Sequence, residues 1–582
     1  MSLLKKSLLS LLLLSSFFII ASTFSIKQET QIITEEITFW SEIEHEKLAE
    51  LLVIRMTDEE LLAQIFMFGW AGSEPSPLLL SWIRERALGS VKVFGWNTDN
   101  IESVARAVTQ TQELSQKNRL KIPLFVATDQ EGGWIRHIKG DTSDTPGNLA
   151  IGAGGLPIDA YLSGYYISRE LRALGINMNF APTIDLYTNK DSSVIGPRSF
   201  GEDAQHSAIL GQAFCQGSID AGIIPTAKHY PGHGDTSDDS HGYLPKINIS
   251  KEVLLDRELV PFKHLISNKV PAIMSGHLSF PEITKSNEPA SLSPYFLNSL
   301  LREELGYTGL IITDDMMMNG ATSYAGSLSR AFQLAIEAGN DIIISSTCPQ
   351  LNEALWTHNL KRMKENATFN AIVKKAAKKV VYEKLVYFKS DNAVPLYPDI
   401  EKIKQNIPDP DGQAFFLDQA CRSITLRKGD SIPTINSSQD KIVLASSYAS
   451  FFNLGLKRYP QAKRYQFSQN MGPNETAYTI EKLGDLAKDA DSILLTVANE
   501  RDAEVARALA KLFSEKNKAS VEAQKKLIVI SLLSPTPALY LENANVIFAY
   551  SYSPYSFEAV FSTLEGQFSP KGILPFNDYM QP

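Results

Sequence analysis

Cysteine is scarce in this chain, with Cys215, Cys348 and Cys421 the three examples in 582 residues. Three are too few for a disulfide scaffold and their spacing fits no metal-ligand pattern, so all three read as packing residues. Basic excess is lacking too. Lys and Arg total 56 against 65 Asp and Glu, a formal net charge of −9, and a protein that grips phosphate backbones needs a dominant basic face. This excludes nucleic acid as the expected partner. Charged residues at 21% and hydrophobic residues at 44% exclude a disordered or collagen-like chain. Beyond the first two dozen residues no apolar run reaches the ~20 residues that a membrane-spanning helix requires.

The N-terminus does carry a shorter apolar run. Lys5 and Lys6 precede Leu8 to Ala21, which is apolar except for Ser10, Ser15 and Ser16, and the small residues Ala21, Ser22 and Thr23 follow. This pattern predicts a signal peptide over residues 1–23 and an exported protein, periplasmic or extracellular. An uncleaved membrane anchor is the alternative, and only then is a membrane a partner.

From Glu35 to Arg55 the sequence reads as a helix. Short apolar runs then alternate with helix-length amphipathic segments. The runs are 65–68, 91–94, 123–127, 178–181, 223–227, 271–274, 310–312 and 341–344. Eight strand-helix units that close on themselves predict an α/β fold, a (β/α)8 TIM-type barrel over residues 35–390. Pro and Asn around 391–411 predict a linker, and alternating runs at 442–445, 492–497, 527–532 and 546–549 predict a smaller C-terminal α/β sandwich domain over 412–582.

Polar groups cluster behind the barrel runs: Asp129, Asp185, Lys228 with His229, His277, and Asp314 with Asp315. A barrel gathers the C-terminal ends of its strands at one mouth, so these residues are expected around a single site. Any one of these carboxylates also suits a helix cap or an ordered loop. The densest chemistry is the segment Lys228 to His241, where three of the nine histidines fall within the 13 residues from His229. Pro231, Gly232 and Gly234 rule out a helix. The residues allow a metal site built from His229, His233, Asp235, Asp239 and His241. They equally allow acid-base catalysis in which Asp239 orients His241, or a purely structural loop.

The ordered motifs narrow the choice. The 228–241 loop resembles the signature of the β-N-acetylhexosaminidase branch of glycoside hydrolase family 3, and further matches follow in order at 129–133, 181–185, 195–200, 274–277, 289–293 and 313–318, together covering roughly residues 60–345. The resemblance implies a retaining glycosidase with Asp314 as nucleophile and a His241/Asp239 acid-base pair. Asp129, Arg198, Lys228 and His229 match the positions that bind sugar, and neither a cofactor nor a metal is implied. One departure stands out. The family carries Arg five and eight positions beyond the first Asp, where this chain has Trp134 and His137, with Arg136 displaced by one, so Arg136 or His137 is expected to substitute. Export and resemblance together point to a β-N-acetylglucosaminidase acting on peptidoglycan-derived muropeptides. A metal-dependent hydrolase and a non-catalytic sugar-binding protein are the competing readings. The end at 570–576 resembles that of two-domain family members, and Gly152–Gly155 lacks the spacing of a dinucleotide loop.

Overall fold

A computed structural model describes residues 37–576 apart from 193, 239–241, 434, 436–438 and 520–524. The signal-peptide reading and the Asp239/His241 pair lie outside the described residues.

Eight parallel strands form a closed barrel: β1 (Phe66–Phe68), β2 (Ser90–Lys92), β3 (Phe125–Thr128), β4 (Met178–Asn179), β5 (Ile224–Tyr230), β6 (Ala272–Ser275), β7 (Leu310–Asp315) and β8 (Ile342–Ser345). Each strand pairs with its successor, and β8 closes onto β1 with Phe66 opposite Ile343. All eight predicted runs therefore become barrel strands. They read as continuous apolar runs because both faces are covered, by the barrel interior on one side and helices on the other. Phe66, Phe68, Trp82 and Trp356 form one edge-to-face cluster between β1 and the outer helices.

The helix expected over 35–55 is shorter among the described residues. It spans His45–Arg55 because Glu44 caps it, its carboxylate accepting from the Glu46 and Lys47 amides. Gly152 and Gly154 close a short helix, Asn148–Gly154, and Gly155 caps it with φ 70°. The stretch read as a linker packs on the barrel, with Ile403 and Ile407 buried in its core.

The second domain is a six-stranded sheet: β9 (Thr425–Leu426), β10 (Ile442–Ser446), β11 (Lys463–Gln466), β12 (Ser492–Val497), β13 (Lys526–Ser531) and β14 (Asn545–Phe548), in the order β9-β14-β13-β12-β10-β11. Only β9 runs antiparallel to its neighbour. Helices cover both faces. Val505, Leu509 and Phe513 pack on one face, and Phe451, Phe557 and Phe561 on the other, which makes an α/β sandwich. Among the described residues no helix is long and apolar enough to cross a membrane.

Candidate active site

A cavity of about 410 Å³ opens at the C-terminal end of the barrel, lined among others by Lys92, Asp129, Glu131, Arg198, Lys228, His229 and Asp314. Lys92 ends β2, Asp129 follows β3, Lys228 and His229 lie in β5, and Asp314 lies in β7. Neighbours on a regular strand point to opposite faces. The register between β5 and β6 shifts between Ala227 and Tyr230, and there both Lys228 and His229 line the cavity. The loop beyond β5 needs glycine at one point of close approach, since a Cβ on Gly234 would stand 1.6 Å from the Leu186 carbonyl oxygen.

Charge is concentrated here. The Lys228 Nζ donates to Asp129 Oδ1 at 2.5 Å and lies 2.6 Å from Glu131 Oε1, while Lys92 Nζ sits 2.8 Å from Asp129 Oδ2. Burial opposes the charge on Asp129, but the two ammonium groups outweigh it and hold the carboxyl well below the usual range. The Lys92 ammonium also lies 4.2 Å from the Phe94 ring centre and 5.1 Å from that of Phe180. Arg198 grips Glu131 in a two-pronged bond, Nε to Oε2 at 2.9 Å and Nη2 to Oε1 at 2.7 Å, and Thr183 donates to the same carboxylate. Glu131 is thereby held at about 2, against burial, by Arg198 and Lys228.

Asp185 orders the histidines. It is buried, and its carboxylate accepts from the backbone N–H of both His229 and His233 and from His229 Nδ1 at 2.7 Å. With its Nδ1 proton so engaged, His229 presents Nε2 to the Arg198 Nη2 donor at 3.3 Å. His233 lines the cavity with both ring nitrogens buried and unpartnered, and burial lowers its pKa to about 4.

The adjacent carboxylates of β7 have different work. Asp315 Oδ1 accepts from the Met317 and Ser346 amides, so it ties the loops after β7 and β8 together. Asp314 Oδ1 accepts from the Asp315 N–H at 2.8 Å. Burial works against its charge, yet the imidazoles of His229 and His277, the Asp315 N–H and the Lys92 ammonium hold Asp314 at about 2. It is an ionised carboxylate at any pH near neutrality. His277 does not line the cavity: it donates from Nε2 to the Asp315 carbonyl and accepts at Nδ1 from Ser291, which fixes β7's end from behind.

Asp129, Arg198, Lys228, His229 and Asp314 therefore meet in one cavity. Of the two residues expected to replace an arginine, His137 lines the cavity, with Nδ1 3.6 Å from Asp129 Oδ2. Burial lowers its pKa to about 4, so at neutral pH this is no ion pair. Arg136 does not line the cavity; its Nη1 donates to the Thr142 carbonyl at 2.7 Å and its Nη2 lies 3.8 Å from Asp144. Lys92 and Glu131 were missed in the sequence. Glu131 sat inside the 129–133 motif and could have been found by asking what neutralises Arg198, whereas Lys92 looked like an interruption of an apolar strand. Among the described residues no three His, Cys, Asp or Glu side chains group so as to hold a metal ion.

Residues 44–381, more than half of the chain, match the Glycosyl hydrolase family 3 N terminal domain. The chain belongs to glycosyl hydrolase family 3. Beta-hexosaminidase A of Pseudoalteromonas piscicida is 33% identical over 285 residues, 46% of this chain and 47% of that protein, so the match spans about half of the relative's length. Beta-hexosaminidase of Tolumonas auensis is 35% identical over 266 residues, 45% of this chain and 77% of that protein. A solved family 3 β-N-acetylglucosaminidase from Paenibacillus sp. str. FPU-7 superimposes with a TM-score of 0.79 at 28% identity, covering 90% of this chain and 99% of that one. This family 3 member is a glycosidase fold of the β-N-acetylhexosaminidase branch, a barrel followed by a sandwich domain.

Proposed function

We propose that this family 3 protein is an exported, retaining exo-β-N-acetylglucosaminidase that hydrolyses terminal β-linked N-acetylglucosamine, with peptidoglycan-derived muropeptides as the source of substrate. The observation that carries the reading is Asp314: a half-buried carboxylate whose pKa is held at about 2, at a strand end inside a cavity walled by sugar-hydroxyl donors and acceptors. Asp129 accepts hydroxyl protons, and Arg198, Lys228 and His229 bear on the ring substituents.

Asp314 attacks the anomeric carbon while the glycosidic oxygen takes a proton, giving a glycosyl-enzyme that water then opens. The proton donor in this reading is His241, oriented by Asp239; an imidazolium donates as the aglycone leaves, and the neutral ring then deprotonates the incoming water. The β-hexosaminidase names of the relatives and the 14-residue loop signature support the acetamido preference. The charged N-terminal start followed by an apolar run supports export.

The test is release of p-nitrophenol from its β-N-acetylglucosaminide and β-glucoside by protein lacking residues 1–23, with and without a chelator, beside Asp314→Asn. Chelator-resistant turnover of the acetamido sugar that disappears in the variant is expected. Chelator-sensitive turnover would turn the histidine loop into a metal site, and binding of N-acetylglucosamine without turnover would make the protein a sugar-binding module.

A further inference from the structure

We propose that the second domain is a positioning element of the active site, holding the loop that carries Arg198 through a strap at Pro575–Phe576 and through Ser534. The inference rests on the glycosidase reading above and assigns a role to the domain that supplies none of the residues lining the cavity.

The Arg198 loop is gripped from both sides. On the cavity side Arg198 holds Glu131 and faces His229, and its backbone carbonyl accepts from Asn148 Nδ2 at 2.8 Å. On the far side the second domain and Tyr187, which links the two, add to the loop's own barrel anchor, in which Ser199 Oγ donates to the Asp185 carbonyl at 2.6 Å. The Tyr187 N–H donates to the Gly201 carbonyl at 2.9 Å, closing the loop that contains Arg198. The ring of Tyr187 lies so close to Gly196 that a Cβ there would stand 2.8 Å from it. The Tyr187 hydroxyl meets Ser534 Oγ at 2.6 Å, and the ring meets Phe576 edge to face at 5.4 Å. Tyr187 is 2% and Phe576 6% exposed, so this junction is a packed core and not a surface contact.

The strap runs on from there. The Glu202 N–H donates to the Pro575 carbonyl at 3.0 Å, and Gly201, at φ 140°, has room for no side chain because a Cβ would stand 2.3 Å from that carbonyl oxygen. The Ile573 N–H donates to the Ala153 carbonyl at 3.0 Å, which fixes the strap to the barrel on the far side of Gly152. Residues 195–202 thus sit between a charged cavity and a second-domain clamp. Loosening the clamp moves the guanidinium, and misplacement of about 1 Å can cost a site about a hundredfold.

The experiment is a double-mutant cycle in the full chain, with kcat/KM on the aryl β-N-acetylglucosaminide as readout. Phe576→Ala is expected to lower kcat/KM about tenfold to a hundredfold, and Phe576→Tyr to restore most of it. In an Arg198→Lys background Phe576→Ala is expected to cost less than about twofold, because the group it positions is already displaced. An equal factor in both backgrounds, or a fall in melting temperature with kcat/KM unchanged, overturns the proposal. If Phe576→Ala does not fold, Tyr187→Phe, which removes only the hydroxyl that meets Ser534, takes its place in the same cycle. If the wild-type chain turns over neither sugar, it is the glycosidase reading that fails. Hydrogen exchange at residues 195–202 then decides the clamp: faster exchange in the variant supports it, and unchanged exchange overturns it.

Discussion

Replacing Lys92 by Met tests whether the unexpected cation of β2 serves the sugar site. The Lys92 side chain is 7% exposed and its Nζ stands 2.8 Å from Asp129 Oδ2. Removing one partner of an isolated buried pair costs about 3–5 kcal/mol, but Asp129 keeps Lys228 at 2.5 Å on its other oxygen. The appropriate scale is one hydrogen bond to a charged group, about 1.5–3 kcal/mol, which corresponds to a roughly 10- to 150-fold loss in kcat/KM. The pH profile should move as well. Asp129 and Asp314 both have pKa values lowered in the folded protein, in part by Lys92. Their ionised forms are stabilised above the ordinary carboxylate range, and that advantage is lost as pH falls through the lowered values. Without Lys92 the loss begins at higher pH, so the acid limb of kcat/KM moves up in Lys92→Met and stays near its original place in Lys92→Arg. The assay is kcat/KM on the aryl β-N-acetylglucosaminide from pH 2 to 8. Equal activity and an unmoved acid limb in Lys92→Met would refute the reasoning.

The neighbouring carboxylates of β7 separate cleanly: Asp315→Asn keeps an oxygen for the Met317 and Ser346 amides and should stay within about tenfold of wild-type kcat, whereas Asp314→Asn should fall by at least about a thousandfold. A large loss in both would mean that Asp315 also touches the reacting sugar. Glu258 beside the β5 loop is buried, with Oε1 accepting from Arg257 Nε at 2.6 Å and Oε2 unpartnered; burial, opposed by Arg257 and aided by Asp235 and Asp185, pushes it up to about 7. The folded state therefore holds a proton that the unfolded state releases, and stability falls as pH rises from about 4.5 to about 7. Thermal melting should show a smaller difference between pH 5.5 and pH 8 in Glu258→Gln than in wild type; an unchanged difference would rule Glu258 out.

The barrel was legible because its strands carry their signal in short, doubly buried apolar runs, and five of the eight are followed by conspicuous polar residues. The sandwich sheet was half legible. Its central strands are apolar, but β11 is the charged, largely exposed edge Lys463-Arg464-Tyr465-Gln466, and β9 has two residues, so neither shows an apolar run. The helix end at Glu44 depended on a cap that composition does not reveal. In the site, motif order located Asp129, Arg198, Lys228, His229 and Asp314, since each lies at the end of a strand, or in the loop beyond one, that the fold brings to one mouth. What spacing could not supply was the pairing. Lys92 reaches Asp129 from 37 positions away, Arg198 meets Glu131 across 67, and Arg136, adjacent to His137, is drawn off by Thr142 and Asp144. Asp185, which read equally well as a sugar ligand or a loop-ordering group, spends its oxygens on backbone amides and an imidazole, and Asp315, the rival of Asp314, gives Oδ1 to two backbone amides.

The central claim is a covalent glycosyl-enzyme on Asp314. Incubation with a 5-fluoro β-N-acetylglucosaminyl fluoride, followed by proteolysis and mass spectrometry, should place one N-acetylglucosaminyl-derived mass increment on the peptide that contains Asp314, and none on that peptide in Asp314→Asn. An increment on another residue, or none while the wild-type enzyme releases the α-anomer first from a β-glycoside, would contradict the account.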